Sequence, residues 1–143
     1  MLSVDVGLQG YDQERGLRFQ KQLVEQVRAL PGVSDATFAK HVPFTNNFSI
    51  TNAFPDNPTG HLVDNQLAVT NSSVYPGYLS MMGIRLQQGR ALAETDNAHA
   101  PLVAVINEAM ARTFWPGKSA IGEHFHLDWA GAPPIEVVGV VAT

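Results

Sequence analysis

Apolar and polar residues alternate from the second position of the chain: Leu2, Val4, Val6 and Leu8 fall on one side, Ser3, Asp5, Gly7 and Gln9 on the other. A period of two belongs to a strand with one face in a core. The period then changes. Asp12 is a good N-cap, Glu14 suits the positive end of a helix, and Leu17, Phe19, Leu23, Val24, Val27 and Leu30 recur as a single apolar stripe. Pro31-Gly32 stops that helix, because proline cannot continue the hydrogen-bond ladder and glycine accepts the left-handed cap. Val33 to Val42 reads as a second strand, so the chain opens with a βαβ-like unit whose helix packs on one sheet face.

Between Pro43 and Gly60 the residues Asn46, Asn47, Pro55, Asp56, Asn57 and Pro58 surround a ragged strand from Phe48 to Phe54. Val63, Asn65, Leu67 and Val69 alternate as a further strand. A short helix follows from Tyr75 to Met82, with Pro76 in its first turn and Gly83 at its exit. Ile84 to Leu92 suits a strand, whereas Ala93 to Pro101 is polar and aperiodic, a loop and the expected boundary between lobes. Leu102 to Ile106 is a short apolar run, after which Asn107 caps a helix that turns Met110, Ala111 and Phe114 inward and ends at Pro116-Gly117. Phe125, Leu127 and Trp129 alternate with His124, His126 and Asp128, and Ile135 to Ala142 has the apolar density of a strand buried on both faces. The expected fold is α+β and two-lobed, a mixed sheet with the βαβ-like opening unit plus a smaller α/β lobe. Strands fall at both ends with almost no terminal slack, which is expected of a segment excised from a longer protein.

Composition narrows the function. A chain of 143 residues buries roughly 70% of the surface its unfolded form exposes, so a core needs no metal or disulfide staple. Disulfides, thiolate ligands and cysteine nucleophiles are excluded, because there is no cysteine. Nine basic against thirteen acidic residues leave a net charge of -4, which gives no footprint for nucleic acid or anionic lipid. No apolar run is long enough to span a bilayer, and the amino terminus lacks the basic region and apolar stretch of a signal peptide.

Candidate chemistry is sparse. Gly117-Lys118-Ser119 copies the end of a phosphate-binding loop, but Arg112 stands where the first glycine belongs, so the tripeptide reads as a helix-exit turn. A nucleophile elbow of the G-x-S-x-G type is absent. His124, His126 and Asp128 share a strand face at spacings of two, which would present two imidazoles and a carboxylate; a single-strand cluster lacks the long-range ligands most metal sites recruit, and a solvated face is the favoured reading. Glu94 and Asp96 lie in a polar loop and read as solvated, and His41, His61 and His99 as ordinary surface or loop side chains. Phe19, Tyr78, Phe114 and Trp115 read as core residues rather than a stacking platform. Asn47-Phe48-Ser49 and Asn71-Ser72-Ser73 match a glycosylation sequon that matters only in a glycosylating host. No catalytic, cofactor-binding or metal residue is assigned.

The order of short motifs resembles a known family. Gly10-Tyr11-Asp12 leads to a helix ending Val27-Arg28-Ala29-Leu30-Pro31-Gly32-Val33, followed by Val74-Tyr75-Pro76-Gly77-Tyr78-Leu79-Ser80-Met81-Met82-Gly83-Ile84 and Gln88-Gly89-Arg90. The series continues through Val103-Ala104-Val105-Ile106-Asn107-Glu108-Ala109-Met110-Ala111, Phe114-Trp115-Pro116-Gly117, Ile121-Gly122 and Val137-Val138-Gly139-Val140-Val141. In this order they resemble the MacB-like periplasmic core domain of ABC transporter permeases, related to the FtsX-like permeases. The resemblance covers almost the whole chain apart from Phe44 to Asp64. It implies a non-catalytic domain on the periplasmic or extracytoplasmic face of a bacterial inner membrane, inserted between transmembrane helices, without a cofactor or a shared catalytic site. It also implies that the two lobes are a membrane-proximal one in residues 1–90 and a distal one in 91–143. The partners it implies are the transmembrane part of the permease, an ATP-binding domain or subunit, a second copy in the full transporter, and a periplasmic adaptor or substrate. Two other classes compete: a stand-alone module binding ligand in a cleft between lobes, with Phe44 to Asp64 as its recognition surface, and a hydrolase built from scattered His and Asp residues.

Overall fold

The structure, a computed structural model, describes residues 13–40 and 49–142. The expected first strand, the Asp12 cap and the end of the expected second strand lie outside the described residues. Spatially the chain divides into two compact units, 1–38 and 39–143.

In the first unit, α1 runs from Gln13 to Arg28. Its apolar stripe is unevenly covered: Val24 is buried, while Leu17 and Leu30 are about half exposed, at 50% and 55%. After Pro31-Gly32 the expected strand from Val33 is corrected, because residues 33–38 form no ladder and the described part of Val33 to Val42 shows one isolated bridge, Ala39 to Val74. The cause is local. The Asp35 carboxylate accepts from the Ala36 backbone N–H at 2.7 Å and from Arg28 Nε at 2.8 Å, so a side chain takes the Ala36 N–H that a ladder would use. Those two hydrogen bonds, the backbone one first, hold the Asp35 carboxyl below the usual carboxylate range.

The second unit is built on one mixed sheet. Its elements are β1 (Ser49–Pro55), a 3-10 turn (Val63–Asn65), β2 (Leu67–Asn71), α2 (Tyr78–Met81), β3 (Leu86–Gly89), β4 (Val103–Asn107), α3 (Glu108–Phe114), β5 (His124–Leu127) and β6 (Ile135–Val141). The strand order is β2-β1-β5-β6-β3, with β4 also on β6. All pairs are antiparallel except β4 with β6. Strand β4 follows β6 from Glu136 to Val141, so β5 at its start and β3 at its end succeed each other along the opposite edge. The division expected between residues 90 and 91 falls between β3 and β4, two strands that both pair with β6. Gly89 lets β3 close on β6: it sits at φ +72, and a Cβ there would stand 2.1 Å from the Val138 carbonyl oxygen.

The core lies where β6 meets α3. Phe114 and Val137 are fully buried, with Trp115, Val140, Phe125, Ile106, Ala53 and Ala120 around them. Phe114 and Trp115 meet edge to face, ring centroids 5.3 Å apart at 88°. Residues 137–140 are all buried, as the apolar density of the last strand implies. Asn107 caps α3 as expected, its Oδ1 accepting from the Met110 N–H at 2.9 Å, and Met110 and Ala111 pack against the core. Two elements start later than their patterns suggest. The alternation from Val63 is broken by Asp64 and Asn65, which adopt φ of +52 and +53, a conformation their short polar side chains tolerate, so β2 begins at Leu67. Gly77, at φ +90, ends a turn through Pro76 and delays α2 to Tyr78.

Candidate functional site

Among the described residues, a set of long-range polar contacts gathers at the end of β1, around Asp56. Its backbone N–H donates to the His124 carbonyl at 2.8 Å, and its own carbonyl accepts from Trp115 Nε1 at 3.3 Å. Its carboxylate Oδ1 lies 3.1 Å from His126 Nε2. Three residues on, the N–H groups of Thr59 and Gly60 both donate to the Phe114 carbonyl, at 3.0 and 3.2 Å, and the Thr59 hydroxyl donates to the Pro116 carbonyl at 3.3 Å. Asp56 to Gly60 thus joins β1 to the C-terminal end of α3 and to β5. Sequence reading recognises Pro55-Asp56-Asn57-Pro58 as a turn, but the partners of that turn lie about sixty positions away and leave no local signal.

His124, His126 and Asp128 do not form a joint site. His126 is largely buried, its side chain 14% exposed, with Nδ1 2.5 Å from the Ala132 carbonyl and Nε2 facing Asp56. Both neighbours, the Ala132 carbonyl and the Asp56 carboxylate, are acceptors for a ring N–H. The expectation of a solvated side chain is corrected for this histidine: it ties β5 to the following turn and to β1. Asp128 adopts φ +73 beyond the end of the strand, and its carboxylate accepts from the Thr51 hydroxyl. Trp129, expected to continue the inward alternation, is instead 62% exposed, because that turn rotates it out of register. Among the described residues no group of three His, Asp or Glu side chains is placed to hold a metal ion.

Gly117-Lys118-Ser119 is a helix-exit turn, as its sequence context implies: the Lys118 N–H donates to the Trp115 carbonyl, and Lys118 Nζ pairs with Glu123 at 2.5 Å. A shallow groove of about 250 Å³ lies beside it, lined by Gln88, Glu108, Arg112, Trp115, Lys118 and Val140 among others. Its cations are engaged already, Arg112 with Glu108 at 3.3 Å and Lys118 with Glu123, so the groove offers no uncompensated charge to an ionic ligand. The expectation of a solvated Asp96 is corrected as well. Its side chain, 10% exposed, accepts both guanidinium nitrogens of Arg90 at 2.7 and 2.8 Å and the Ala93 N–H at 2.8 Å. The Arg90 hydrogen bonds hold the Asp96 carboxyl below the usual range against the opposing effect of burial, and in return raise the Arg90 guanidinium. This is a loop fastening, with no sign of acid or base work.

Comparison with known proteins places this geometry in context. The family model described as the MacB-like periplasmic core domain matches residues 3–143. A 72-residue stretch, half of this chain, is 25% identical to an uncharacterized ABC transporter permease, YknZ, of Bacillus subtilis, and covers 17% of it. The fold is similar to that of the periplasmic region of MacB from Actinobacillus actinomycetemcomitans, with a TM-score of 0.63 at 17% identity over 87% of this chain and 50% of that one. The extracellular domain of YknZ from Gram-positive bacteria gives 0.60 at 20% identity over 86% of this chain and 57% of that one. The chain therefore spans about half the length of these solved relatives. Among the described residues no helix is long and apolar enough to cross a membrane.

Proposed function

We infer that this chain, which belongs to the family of MacB-like periplasmic core domains, is the extracytoplasmic domain of an ABC transporter permease and couples movement of transmembrane helices to substrate export or to a periplasmic partner. The observation that carries the reading is the family match across residues 3–143. Its partners are the transmembrane helices of the same permease, an ATP-binding domain or subunit across the membrane, a second copy, and an adaptor or substrate outside. The polar groups most suggestive of chemistry, His126 and Asp96, are engaged in fastening turns, which favours a mechanical rather than a catalytic role. A core closed over Phe114, Trp115, Val137 and Val140 suits that role, because close-packed interiors resist deformation and pass displacement on.

Two experiments test the reading. Removing residues 3–143 from the intact permease is expected to abolish export in a transport assay while the ATP-binding component still binds nucleotide; undiminished export overturns it. These 143 residues carry no cysteine, so in a permease whose remaining residues are also cysteine-free, Ala68→Cys, on the exposed face of β2, is expected to react with a membrane-impermeant maleimide in cells whose inner membrane is intact. Protection until that membrane is opened would place the domain on the wrong side.

A further inference from the structure

The β1–β2 hairpin coheres through five residue pairs, Ser49 with Asn71 to Ala53 with Leu67. Its ladder to the rest of the sheet is shorter, although Ala53 is in the core with Leu67 and Val69 packed against it, and Asp128 bonds to Asn52 and Thr51. Strand β1 meets β5 over Ala53, Phe54 and Pro55, and Pro55 brings no N–H to that ladder. The outer positions of the hairpin, Ile50, Asn52, Ala68 and Thr70, are exposed.

The strap from Asp56 to Gly60 compensates. A helix end leaves carbonyls without partners inside the helix. Thr59 and Gly60 supply two N–H groups to the Phe114 carbonyl, the Thr59 hydroxyl reaches the Pro116 carbonyl, and the Trp115 indole N–H reaches back to the Asp56 carbonyl. The strap caps α3 from a distance, and α3 holds the strap. The seat is close: a Cβ on Gly60 would stand 2.0 Å from the Thr113 carbonyl oxygen and 3.2 Å from Pro116 Cδ. Yet Thr59 and Pro116 are exposed, so water competes for these bonds at the rim.

We propose that residues 56–60 are a conformational clip. Seated, the strap holds the β1–β2 hairpin on the body formed by α3, β5 and β6; released, it frees the hairpin as one piece while β3, β4 and β6 stay paired. The device is independent of the permease reading, and in a domain that passes on movement it marks where the domain yields.

Native-state hydrogen exchange of the full chain, read by mass spectrometry, tests it. Gly60→Ala lifts the strap and is expected to lower protection across residues 49–55 and 67–71 by about tenfold or more, with residues 103–107 and 135–141 unchanged. Asp56→Ala leaves the backbone bonds in place and removes one polar contact to His126, so a loss of about fivefold in the same segments is expected, the equivalent of one hydrogen bond. Because Asp56 is half exposed at 48%, this second variant remains informative if Gly60→Ala does not fold. Equal loss of protection in the hairpin and in 135–141 makes the unit a single cooperative body and overturns the clip. Unchanged protection of the hairpin in the variants that fold overturns it as well.

Discussion

Truncating Phe114 to alanine removes the side chain on which the second unit closes. Phe114 is fully buried, belongs to the same cluster as Val137, Val140 and Ile106, and meets the Trp115 ring edge to face with centroids 5.3 Å apart. Phe-to-Ala changes at such sites cost about 3–5 kcal/mol, because the lost transfer energy is joined by a cavity the surroundings fill only in part. Collapse is hindered here, since strand β6 on one side and the strap-bound end of α3 on the other are both held by backbone hydrogen bonds; we expect about 4 kcal/mol. A domain of this kind has about 5–15 kcal/mol in total, so the variant keeps its fold with a much reduced margin. At roughly 4–8 °C per kcal/mol for a domain near 100 residues, the thermal midpoint falls by about 15–30 °C. Urea unfolding at neutral pH measures it, with a lower midpoint at an unchanged slope as the signature of lost stability. Leu102→Ala is the control: an apolar residue of comparable size that is 50% exposed should cost under about 1 kcal/mol. A Phe114→Ala cost below about 1.5 kcal/mol, or a cost matched by Leu102→Ala, refutes this account of the core.

Asn107→Ala removes the side-chain acceptor for the Met110 N–H and should destabilise by about 1 kcal/mol in the same urea assay, with Asn107→Gly costing only a few tenths relative to wild type. Asp96→Asn tests the Arg90 fastening through pH. Because the folded carboxyl lies below its unfolded value, its contribution is complete above the ordinary carboxylate range near pH 4 and disappears as the pH falls through the depressed folded value. The stability difference between wild type and Asp96→Asn should therefore be full at neutral pH and vanish in strong acid; a difference independent of pH contradicts the fastening.

The elements legible from the sequence are those whose cause is local. Asn107 followed by an apolar helix and Pro116-Gly117 contains its own start and stop, and the valines from 137 to 141 announce a strand covered on both faces. Reading alternation through a turn fails. Asp64 and Asn65 sit in a pattern that continues formally into Leu67 and Val69, yet their positive φ values break it; Asp128 does the same to the run that ends at Trp129. Asp35 shows the third way, a carboxylate that takes the Ala36 N–H and Arg28 for itself in a segment that forms no ladder. In each case a short acidic or amide side chain decides the backbone, and hydropathy alone does not register it.

The same residues explain why candidate chemistry in this chain dissolves once partners are assigned. Histidines and acids draw attention in a sequence because those groups carry protons, metals and charge. Here several polar groups have partners within the fold: His126 lies beside the Ala132 carbonyl and Asp56, Asp96 accepts three hydrogen bonds, Lys118 pairs with Glu123, and Asp56 engages both backbone groups and one carboxylate oxygen at one junction. A group saturated by hydrogen bonds inside the protein gains nothing from an incoming ligand unless the ligand replaces those bonds. Polar residues arranged this way specify geometry, fixing which turn lies against which strand end. That use agrees with the coupling role proposed above, and it makes Asp56 and Gly60, where the junction is secured, the informative variants.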